Sequence, residues 1–147
     1  MAVRVQREDF DPAVEVARLT RGRTDIGAVV SFTGLVRDRG DGLTALELEH
    51  YPGMTEKSLA AIEADAWSRW PLDACLVIHR FGRFLPGDRI VLVATASAHR
   101  QAAFAAAEFV MDHLKSRAPF WKKETRAGRE TWVEARDEDE GALDRWA

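Results

Sequence analysis

The residues best suited to chemistry in this sequence are cations placed at the edges of apolar segments. Arg37 follows a long apolar run, and His99 and Arg100 open an Ala-rich segment. Lys115 and Lys122 flank the end of that segment. Taken singly, each is more often a solvated surface charge than a site residue. Together, in a protein of net charge −3 at pH 7, they predict a pocket that binds an anion, with backbone N–H groups at a helix start as further donors.

Lys115 differs from an ordinary surface lysine in its helical phase. At about 100° per residue, an apolar stripe runs through Phe104, Ala107, Met111 and Leu114, and the lysine falls within about 20° of Phe104 on that stripe. A cation buried there needs an anionic partner, because desolvation of an isolated charge is costly. The alternative is that the methylene stem carries the ammonium group out to water, and helical phase alone leaves both interpretations open.

Signatures of other chemistries are missing from the sequence. The four histidines, His50, His79, His99 and His113, lie on different predicted elements without the spacing of metal ligands. Glycine-rich phosphate loops and the G-x-S-x-G elbow of serine hydrolases are absent. Cys75 lies in the apolar run ACLVIH, which predicts an inert, buried thiol. We therefore expect neither a metal ion nor a cofactor.

Composition limits the classes of protein that this chain can belong to. With 147 residues, 46% hydrophobic and 31% charged, the sequence predicts one globular domain over residues 1–147. The net charge of −3 argues against a general nucleic-acid binder, since such proteins carry a basic surplus. We expect no membrane span and no signal peptide, because no apolar run is long enough for either. A single cysteine is typical of a reduced, cytoplasmic protein, and we expect that location.

Hydrophobic periodicity and turn residues predict a mixed α+β fold. Strands are expected at residues 2–6, 26–36, 43–50, 74–84, 89–97, 120–125 and 131–136, and helices at about 12–20, 55–70, 99–118 and near the C-terminus. Gly34, inside the second strand, predicts a bulge or a close backbone approach. Leu46 and Leu48 alternate with glutamates, so their strand should be half exposed and should pair back on the preceding strand through the loop at residues 38–42. Thr55 is the predicted N-cap of the second long helix.

Six sequence motifs, spread over nearly the full length, resemble those of one protein family. They are FTGLVR at 32–37, LEHYPGMTEKSL at 48–59, VIHRFG at 77–82, SAHR at 97–100, MDHLKSRAPFWKKE at 111–124 and WVEAR at 132–136. On these motifs the chain resembles the large, catalytic subunit of molybdopterin synthase. The longest motif, at its spacing from SAHR, is highly specific, whereas the loop at residues 38–42 is the least family-like part. The resemblance implies the fold of that family, which is called an α/β hammerhead.

The resemblance also implies an activity and its partners. Members of this family convert cyclic pyranopterin monophosphate into molybdopterin by installing two sulfurs as a dithiolene. The sulfur arrives as a thiocarboxylate on the C-terminal Gly-Gly tail of a small ubiquitin-like subunit, so the enzyme needs no cysteine of its own. Similar proteins form a central homodimer with one small subunit at each end, which makes a heterotetramer. This sulfurtransferase reaction belongs to molybdenum cofactor biosynthesis.

By motif match, the resemblance assigns roles to particular residues. Lys115 and Lys122 correspond to the catalytic lysines. The implied substrate-binding residues are Leu35, Val36, Arg37, His99, Arg100, Lys115, Lys122, Lys123 and Glu124, and the implied pocket lining is Phe32, Met111 and Arg136. Elementary chemistry agrees, since a phosphate and a thiocarboxylate both need cations. A lysine can stabilise negative charge that develops on oxygen or can act as a general acid or base, and the sequence leaves both roles open.

Two other classes of function are compatible with the same cations. One is a non-enzymatic docking module that holds an acidic or Gly-Gly-tailed partner, in which case arginine could replace both lysines without loss of function. The other is an enzyme that acts on a different phosphorylated or CoA-linked substrate, which binding of a nucleotide rather than a pterin would favour. Neither accounts as well for the joint presence of SAHR and KSRAPFWKKE.

The spacing of Arg100 and Lys115 predicts a site shared between two chains. The two residues are 15 positions apart on one helix, so their Cα atoms are separated by about 22 Å. A pocket within a single chain would be stretched across that distance. If two such helices meet antiparallel across a two-fold axis, the Arg100 end of one helix lies near the Lys115 end of the other. His99 and Arg100 would then hold the phosphate in trans, and Arg136 could cross in the same way.

Overall fold

The structure, a computed structural model, describes residues 2–133 and 141–147. Its strands are β1 (Ala2–Gln6), β2 (Ala28–Leu35), β3 (Leu43–His50), β4 (Leu72–Arg80), β5 (Gly82–Phe84), β6 (Arg89–Ser97), β7 (Phe120–Arg126) and β8 (Arg129–Val133). Its helices are α1 (Pro12–Thr20), α2 (Met54–Arg69) and α3 (Arg100–Arg117), with a 3-10 turn at Leu143–Trp146. The predicted mixed α+β class is confirmed. Part of the strand predicted at 131–136, including Arg136, lies outside the described residues.

The described strands form two four-stranded sheets. The first has the order β1-β4-β6-β2, and the second has the order β5-β3-β7-β8. β4 and β6 are central strands and are buried along most of their length, as their continuous apolar sequences predict. Helices α2 and α3 cover the sheet face that carries Cys75 and Val77, while α1 covers the face of Leu76 and Ile78. None of the helices in this described part is both long and apolar enough to cross a membrane.

β3 is a half-buried strand, as the alternation of its sequence predicts, but its predicted partner is wrong. Leu46 and Leu48 are buried, whereas Glu49 is exposed. The strand pairs with β5 and β7 in the second sheet and not with β2. Alternation reports how a strand is buried but does not tell which strand lies beside it. The pairing with β7 bears on function, because it places Lys122 opposite Leu48.

The segment predicted as one strand at residues 74–84 is two strands in different sheets. β4 ends at Arg80, and β5 begins at Gly82 and pairs with β3. Gly82 has a φ of 118°, a conformation that favours glycine, and it lets the chain leave one sheet for the other. The sequence hides this break because the residues on both sides of it are equally suited to a strand.

Gly34 marks a close backbone approach, as predicted. The register between β2 and β6 shifts between Gly34 and Leu35. A Cβ atom placed on Gly34 would lie 2.4 Å from Cγ1 of Val91 on the neighbouring strand. This irregularity comes just before the chain leaves the first sheet, and irregularities of this kind bend a strand and change its direction.

The prediction that Thr55 is the N-cap of α2 is wrong. The helix begins at Met54, after Gly53, and Thr55 is fully buried in its first turn. The Thr55 hydroxyl accepts a hydrogen bond from the Tyr51 backbone N–H at 3.0 Å and donates one to the Pro119 carbonyl at 3.0 Å. The side chain thereby ties the start of α2 to the corner between α3 and β7.

Helix α3 has nearly the predicted length, and its predicted apolar stripe is confirmed in part, because Ala107 and Leu114 are buried and Met111 packs against the core. Phe104, the anchor of the predicted stripe, is 61% exposed. The core face instead includes Ala103, Ala106 and Phe109, which are fully buried. Alanine lets the helix backbone lie close to β6, where the Thr95 hydroxyl donates to the Ala103 carbonyl at 2.6 Å. A segment so rich in alanine has little contrast between its faces, so a phase taken from Phe104 alone points to one side of the face that packs on the core.

Candidate active site

A cavity of about 520 Å³ opens where the end of α3, the loop after β2 and the strand β7 meet. Six residues that the sequence analysis assigned to substrate binding line it: Leu35, Val36, Arg37, Lys115, Lys122 and Glu124. Arg39, Ser116 and Phe120 also line the cavity and were not selected from the sequence. The structure therefore brings both lysines together with the loop that the family motifs cover least.

Alternation along β7 decides which side chains reach the cavity. Lys122 and Glu124 lie on the cavity face, because alternate residues of a strand point to the same side. Lys123 lies on the opposite face, where its Nζ is 3.3 Å from Glu47 and 3.2 Å from Glu130. Lys123, which motif match assigns to substrate binding, therefore does not line the cavity.

Lys115 and Lys122 reach the cavity from different elements, the last turn of α3 and the strand that follows. The chain turns at Pro119 and brings Lys122 back towards the helix end, so both lysines line one cavity. The interpretation that Lys115 is buried on the apolar stripe is wrong, since its side chain is exposed. Its long methylene stem lets the ammonium group border the cavity while it stays in contact with water.

Positive charge dominates the cavity lining although the protein is acidic overall. Among the described residues, the lining has the cations Arg37, Arg39, Lys115 and Lys122, and its carboxylate is Glu124. No carboxylate in residues 2–133 or 141–147 forms an ion pair with either arginine or with Lys115. Such an excess of cations is suited to a phosphate or carboxylate ligand.

His79 is a buried histidine behind the cavity wall, and the sequence analysis did not select it. Its ring stacks on the ring of Phe120 with 3.7 Å between centroids, and its Nδ1 lies 2.9 Å from the Arg80 carbonyl oxygen. Burial, with a contribution from the positive charges of Lys115 and Lys122, lowers the pKa of His79 to about 3. The imidazole is therefore neutral at pH 7, and its Nδ1–H donates to the carbonyl. Its place in the VIHRFG motif is the sequence signal that could have identified it.

Other residues assigned from the sequence lie away from the cavity. His99 and Arg100 are exposed at the N-terminus of α3, which is the end of the helix remote from the cavity. Phe32 is 41% exposed on β2, and Met111 is partly buried against the main core. A single chain therefore holds the two groups of cations at opposite ends of one helix.

The described residues offer no site for metal or thiol chemistry. No group of three or more His, Cys, Asp or Glu residues that could hold a metal ion occurs within residues 2–133 and 141–147. Cys75 is buried in β4, as predicted, and burial raises the pKa of its thiol to about 12. The thiol therefore stays protonated at pH 7 and is a poor nucleophile.

Comparison with known proteins decides the family. The MoaE protein family matches the chain over residues 5–117. The chain belongs to the MoaE family. A molybdopterin synthase catalytic subunit from Mesorhizobium japonicum is 62% identical to it over 146 residues, which cover 98% of this chain and 92% of that protein.

Solved structures agree with the assignment to the MoaE family. The molybdopterin cofactor biosynthesis protein E from Burkholderia multivorans has a TM-score of 0.85 and 55% identity, covering 99% of this chain and 95% of that chain. A structure from Helicobacter pylori, described as a protein–protein complex of subunits 1 and 2 of molybdopterin-converting factor, has a TM-score of 0.76 and covers 91% of both chains. At 18% identity, the Helicobacter structure shows a shared fold.

The cavity lies in the part of this MoaE-family chain that aligns with its relatives. The MoaE match itself ends at residue 117, before Lys122. The alignment to the Mesorhizobium subunit covers 98% of the chain and so extends across β7. Both elements that carry the cavity lysines therefore lie within the region aligned to that subunit.

Proposed function

We propose that this protein is the catalytic subunit of a molybdopterin synthase, which forms molybdopterin during molybdenum cofactor biosynthesis. The observation that carries the proposal is the joint placement of Lys115 and Lys122 in one cationic cavity. The identity of 62% to a molybdopterin synthase catalytic subunit, over nearly the whole chain, supports the same function.

The substrate in this proposal is cyclic pyranopterin monophosphate, which receives two sulfurs as a dithiolene. Its phosphate is an anion, and so is the thiocarboxylate that supplies the sulfur. The excess of cations in the cavity lining suits both groups. The cavity volume of about 520 Å³ also falls within the range that is usual for small-molecule sites.

The two lysines act where the incoming sulfur meets the pterin. When the thiocarboxylate sulfur attacks a carbon of the substrate that is bonded to oxygen, a C–S bond forms and the electron pair of the C–O bond moves onto that oxygen, which becomes negatively charged. The acyl group of the tail stays on the sulfur as a thioester until water hydrolyses it, which returns the tail as a carboxylate and leaves the sulfur on the substrate. An ammonium group held nearby stabilises that charge, and a lysine that gives up its proton serves as a general acid at the same place. His79 is neutral behind Phe120 and adds no positive charge that would compete for the anions.

The sulfur donor in this proposal is a small ubiquitin-like subunit whose C-terminal Gly-Gly tail enters the cavity. The single cysteine, Cys75, is buried with a raised thiol pKa, so the sulfur has to come from elsewhere. Glycine has no side chain, and a Gly-Gly tail can therefore pass through an opening that would stop bulkier residues. The Helicobacter complex of two subunits, which contains the same fold, supports an assembly of this kind.

The complete site in this proposal is shared between two copies of the chain. His99 and Arg100 are exposed at the N-terminus of α3, far from the lysines of their own chain. An antiparallel arrangement of two α3 helices across a two-fold axis would bring these residues to the cavity of the other copy. The substrate phosphate would then be bound in trans, within a homodimer that carries one small subunit at each end.

Reconstitution of the reaction tests the proposal. The protein is mixed with cyclic pyranopterin monophosphate and a thiocarboxylated small subunit, and the dithiolene product is measured by mass spectrometry. We expect product with the thiocarboxylated subunit and none with a control subunit that ends in an ordinary carboxylate. Absence of product from folded protein and loaded partner would contradict the proposal. Absence of product from the parent, together with unchanged partner binding by a variant in which arginine replaces both Lys115 and Lys122, would favour the docking module instead.

A further inference from the structure

The loop between β2 and β3, residues 37–42, borders the cavity and is fixed at both ends. Before the loop, the Val36 backbone N–H donates to the Asp88 carbonyl at 2.9 Å, and the Gly87 N–H donates to the Val36 carbonyl at 2.7 Å. After the loop, Leu43 is in register with Arg126 of β7. A connection this short between two anchored ends stays close to the cavity that it borders.

Both carboxylates of this loop are used to hold its shape. The Asp38 carboxylate accepts a hydrogen bond from the Gly40 N–H at 2.8 Å. The Asp41 carboxylate pairs with Nη2 of Arg126 at 2.9 Å, and the same guanidinium group pairs with Glu124 of the cavity lining. We name Asp41, Arg126 and Glu124 the clasp, because they join the loop to β7. The hydrogen bond with Arg126 lowers the pKa of the Asp41 carboxyl group below its ordinary value.

Arg39, like Arg37, is a charged side chain of the loop that this internal structure does not use. It lines the cavity together with Arg37 and the two lysines. No carboxylate in residues 2–133 or 141–147 forms an ion pair with Arg39. A guanidinium group presents a planar fork of donors that matches an oxyanion, so an arginine at a cavity wall without an acidic partner is suited to bind one.

We propose that Arg39 is an anion-binding residue of the cavity, additional to the residues implied by the family motifs, and that the clasp positions it. The inference rests on the proposed function and deepens it by naming a further ligand contact in the same site. The ligand chemistry is an oxyanion, supplied either by the phosphate of the pterin substrate or by the C-terminal carboxylate or thiocarboxylate of the small subunit.

Kinetic and binding measurements on Arg39→Ala separate the two sources of the anion. We expect the affinity for the anionic ligand to fall by about 10-fold, the size usual for the loss of a hydrogen bond to a charged group. A rise in KM for the pterin assigns Arg39 to the phosphate, and a rise in Kd for the small subunit assigns it to the tail. Arg21→Ala, at an exposed turn after α1, is the matched control. If neither KM for the pterin nor Kd for the small subunit differs from its value in the Arg21→Ala control, the inference is overturned.

Inorganic phosphate and acetate test Arg39 without any turnover. Each anion is titrated into the isolated protein, and the shifts of backbone amide signals around the cavity are followed by NMR. We expect saturable shifts in the parent. The anion affinity obtained from them should fall in Arg39→Ala and should fall less in Arg39→Lys, which keeps the positive charge but lacks the planar guanidinium donors. If reconstitution yields no product, the proposed function fails while these titrations still decide whether Arg39 binds anions. If Arg39→Ala changes neither the phosphate titration nor the acetate titration, the inference is overturned.

A double-mutant cycle tests whether the clasp acts through Arg39. Asp41→Asn removes a negative charge near the cavity, which by itself should strengthen anion binding. If the clasp positions Arg39, anion binding should weaken severalfold instead, and the Arg39→Ala/Asp41→Asn double variant should bind no more weakly than Arg39→Ala alone. Additive losses, or tighter binding by Asp41→Asn, would overturn the positioning role. Circular dichroism confirms that each variant is folded.

Discussion

Lys115 borders the cavity from the last turn of α3, where its side chain is exposed. We expect Lys115→Ala to lower the rate of sulfur transfer by about 10²- to 10⁴-fold, the usual effect of removing a positioned acid–base or electrostatic group. Because the side chain is exposed, the free energy of unfolding should change by less than about 0.5 kcal/mol. Single-turnover rates and urea unfolding measure the two effects. Arg117→Ala, in the same turn, is the control, and a near-normal rate for folded Lys115→Ala would remove this lysine from the mechanism.

Two neighbouring lysines on β7, Lys122 and Lys123, provide a matched pair of substitutions on opposite faces of one strand. Lys122 faces the cavity, whereas Lys123 pairs with Glu47 and Glu130 on the other face. We expect Lys122→Ala to be severely impaired in single-turnover assays with pre-loaded small subunit. Lys123→Ala should retain most of its activity, because it loses only partly solvated ion pairs. A wild-type rate for Lys122→Ala would refute the first expectation, and an equal loss in both variants would restore Lys123 to the substrate site.

His79 links burial to the pH dependence of stability. Its pKa falls from 6.5 to about 3 on folding, so only the unfolded chain binds a proton there between those pH values. The contribution of buried, neutral His79 to the free energy of unfolding is therefore fully present above pH 6.5. It is lost as the pH falls towards 3, by up to about 1.4 kcal/mol per pH unit.

Urea unfolding between about pH 7 and pH 4 measures this dependence. We expect His79→Asn to flatten the acid side of the stability profile relative to the parent. His99→Asn, at an exposed position, controls for the loss of a histidine as such. Parallel profiles for the parent and His79→Asn would show that His79 does not carry the effect.

At the scale of elements, Gly34 sets how β2 lies against β6. An added methyl group would lie 2.4 Å from Cγ1 of Val91 and 3.3 Å from Cε1 of Phe32. Val91 is buried and has little room to move, so we expect Gly34→Ala to destabilise the fold by about 1–3 kcal/mol. The urea midpoint measures the loss. Gly141→Ala is the control, because a methyl group there meets nothing within 4 Å, and equal midpoints for both variants would contradict the expectation.

At the scale of the whole molecule, the opposite ends of α3 allow a complementation test of the shared site. Arg100→Ala and Lys115→Ala proteins are mixed, and the heterodimer is isolated after subunit exchange. If the site is formed in trans, both lesions fall in one pocket and the other pocket is intact. We therefore expect the heterodimer to recover towards half of the wild-type activity, while each variant alone stays inactive. An inactive heterodimer, after verified exchange, would show that each pocket is built from one chain.

The sequence by itself determined the local elements and selected the cavity lysines. The helix predicted at about residues 12–20 is α1, Pro12–Thr20, and at its start the Asp11 carboxylate accepts a hydrogen bond from the Ala13 N–H at 2.9 Å. Strand β6 has the predicted bounds, Arg89–Ser97. Lys115 and Lys122 were selected from their setting and from motifs, and they share one cavity. Capping, turn chemistry and motif spacing all depend on residues close together in the chain, which is why the sequence alone carries them.

Only the tertiary structure decided which elements meet and which faces they present. β3 pairs with β7 rather than with β2, and this pairing fixes Lys122 towards the cavity and Lys123 away from it. In the sequence, Arg39 is an ordinary loop residue. In the structure, Asp41 of the same loop pairs with Arg126, and Arg39 lines the cavity. Strand pairing, helix phase and loop position depend on packing between segments far apart in the chain. A periodic pattern indicates which face of a segment is buried, but it does not show which other segment packs against that face.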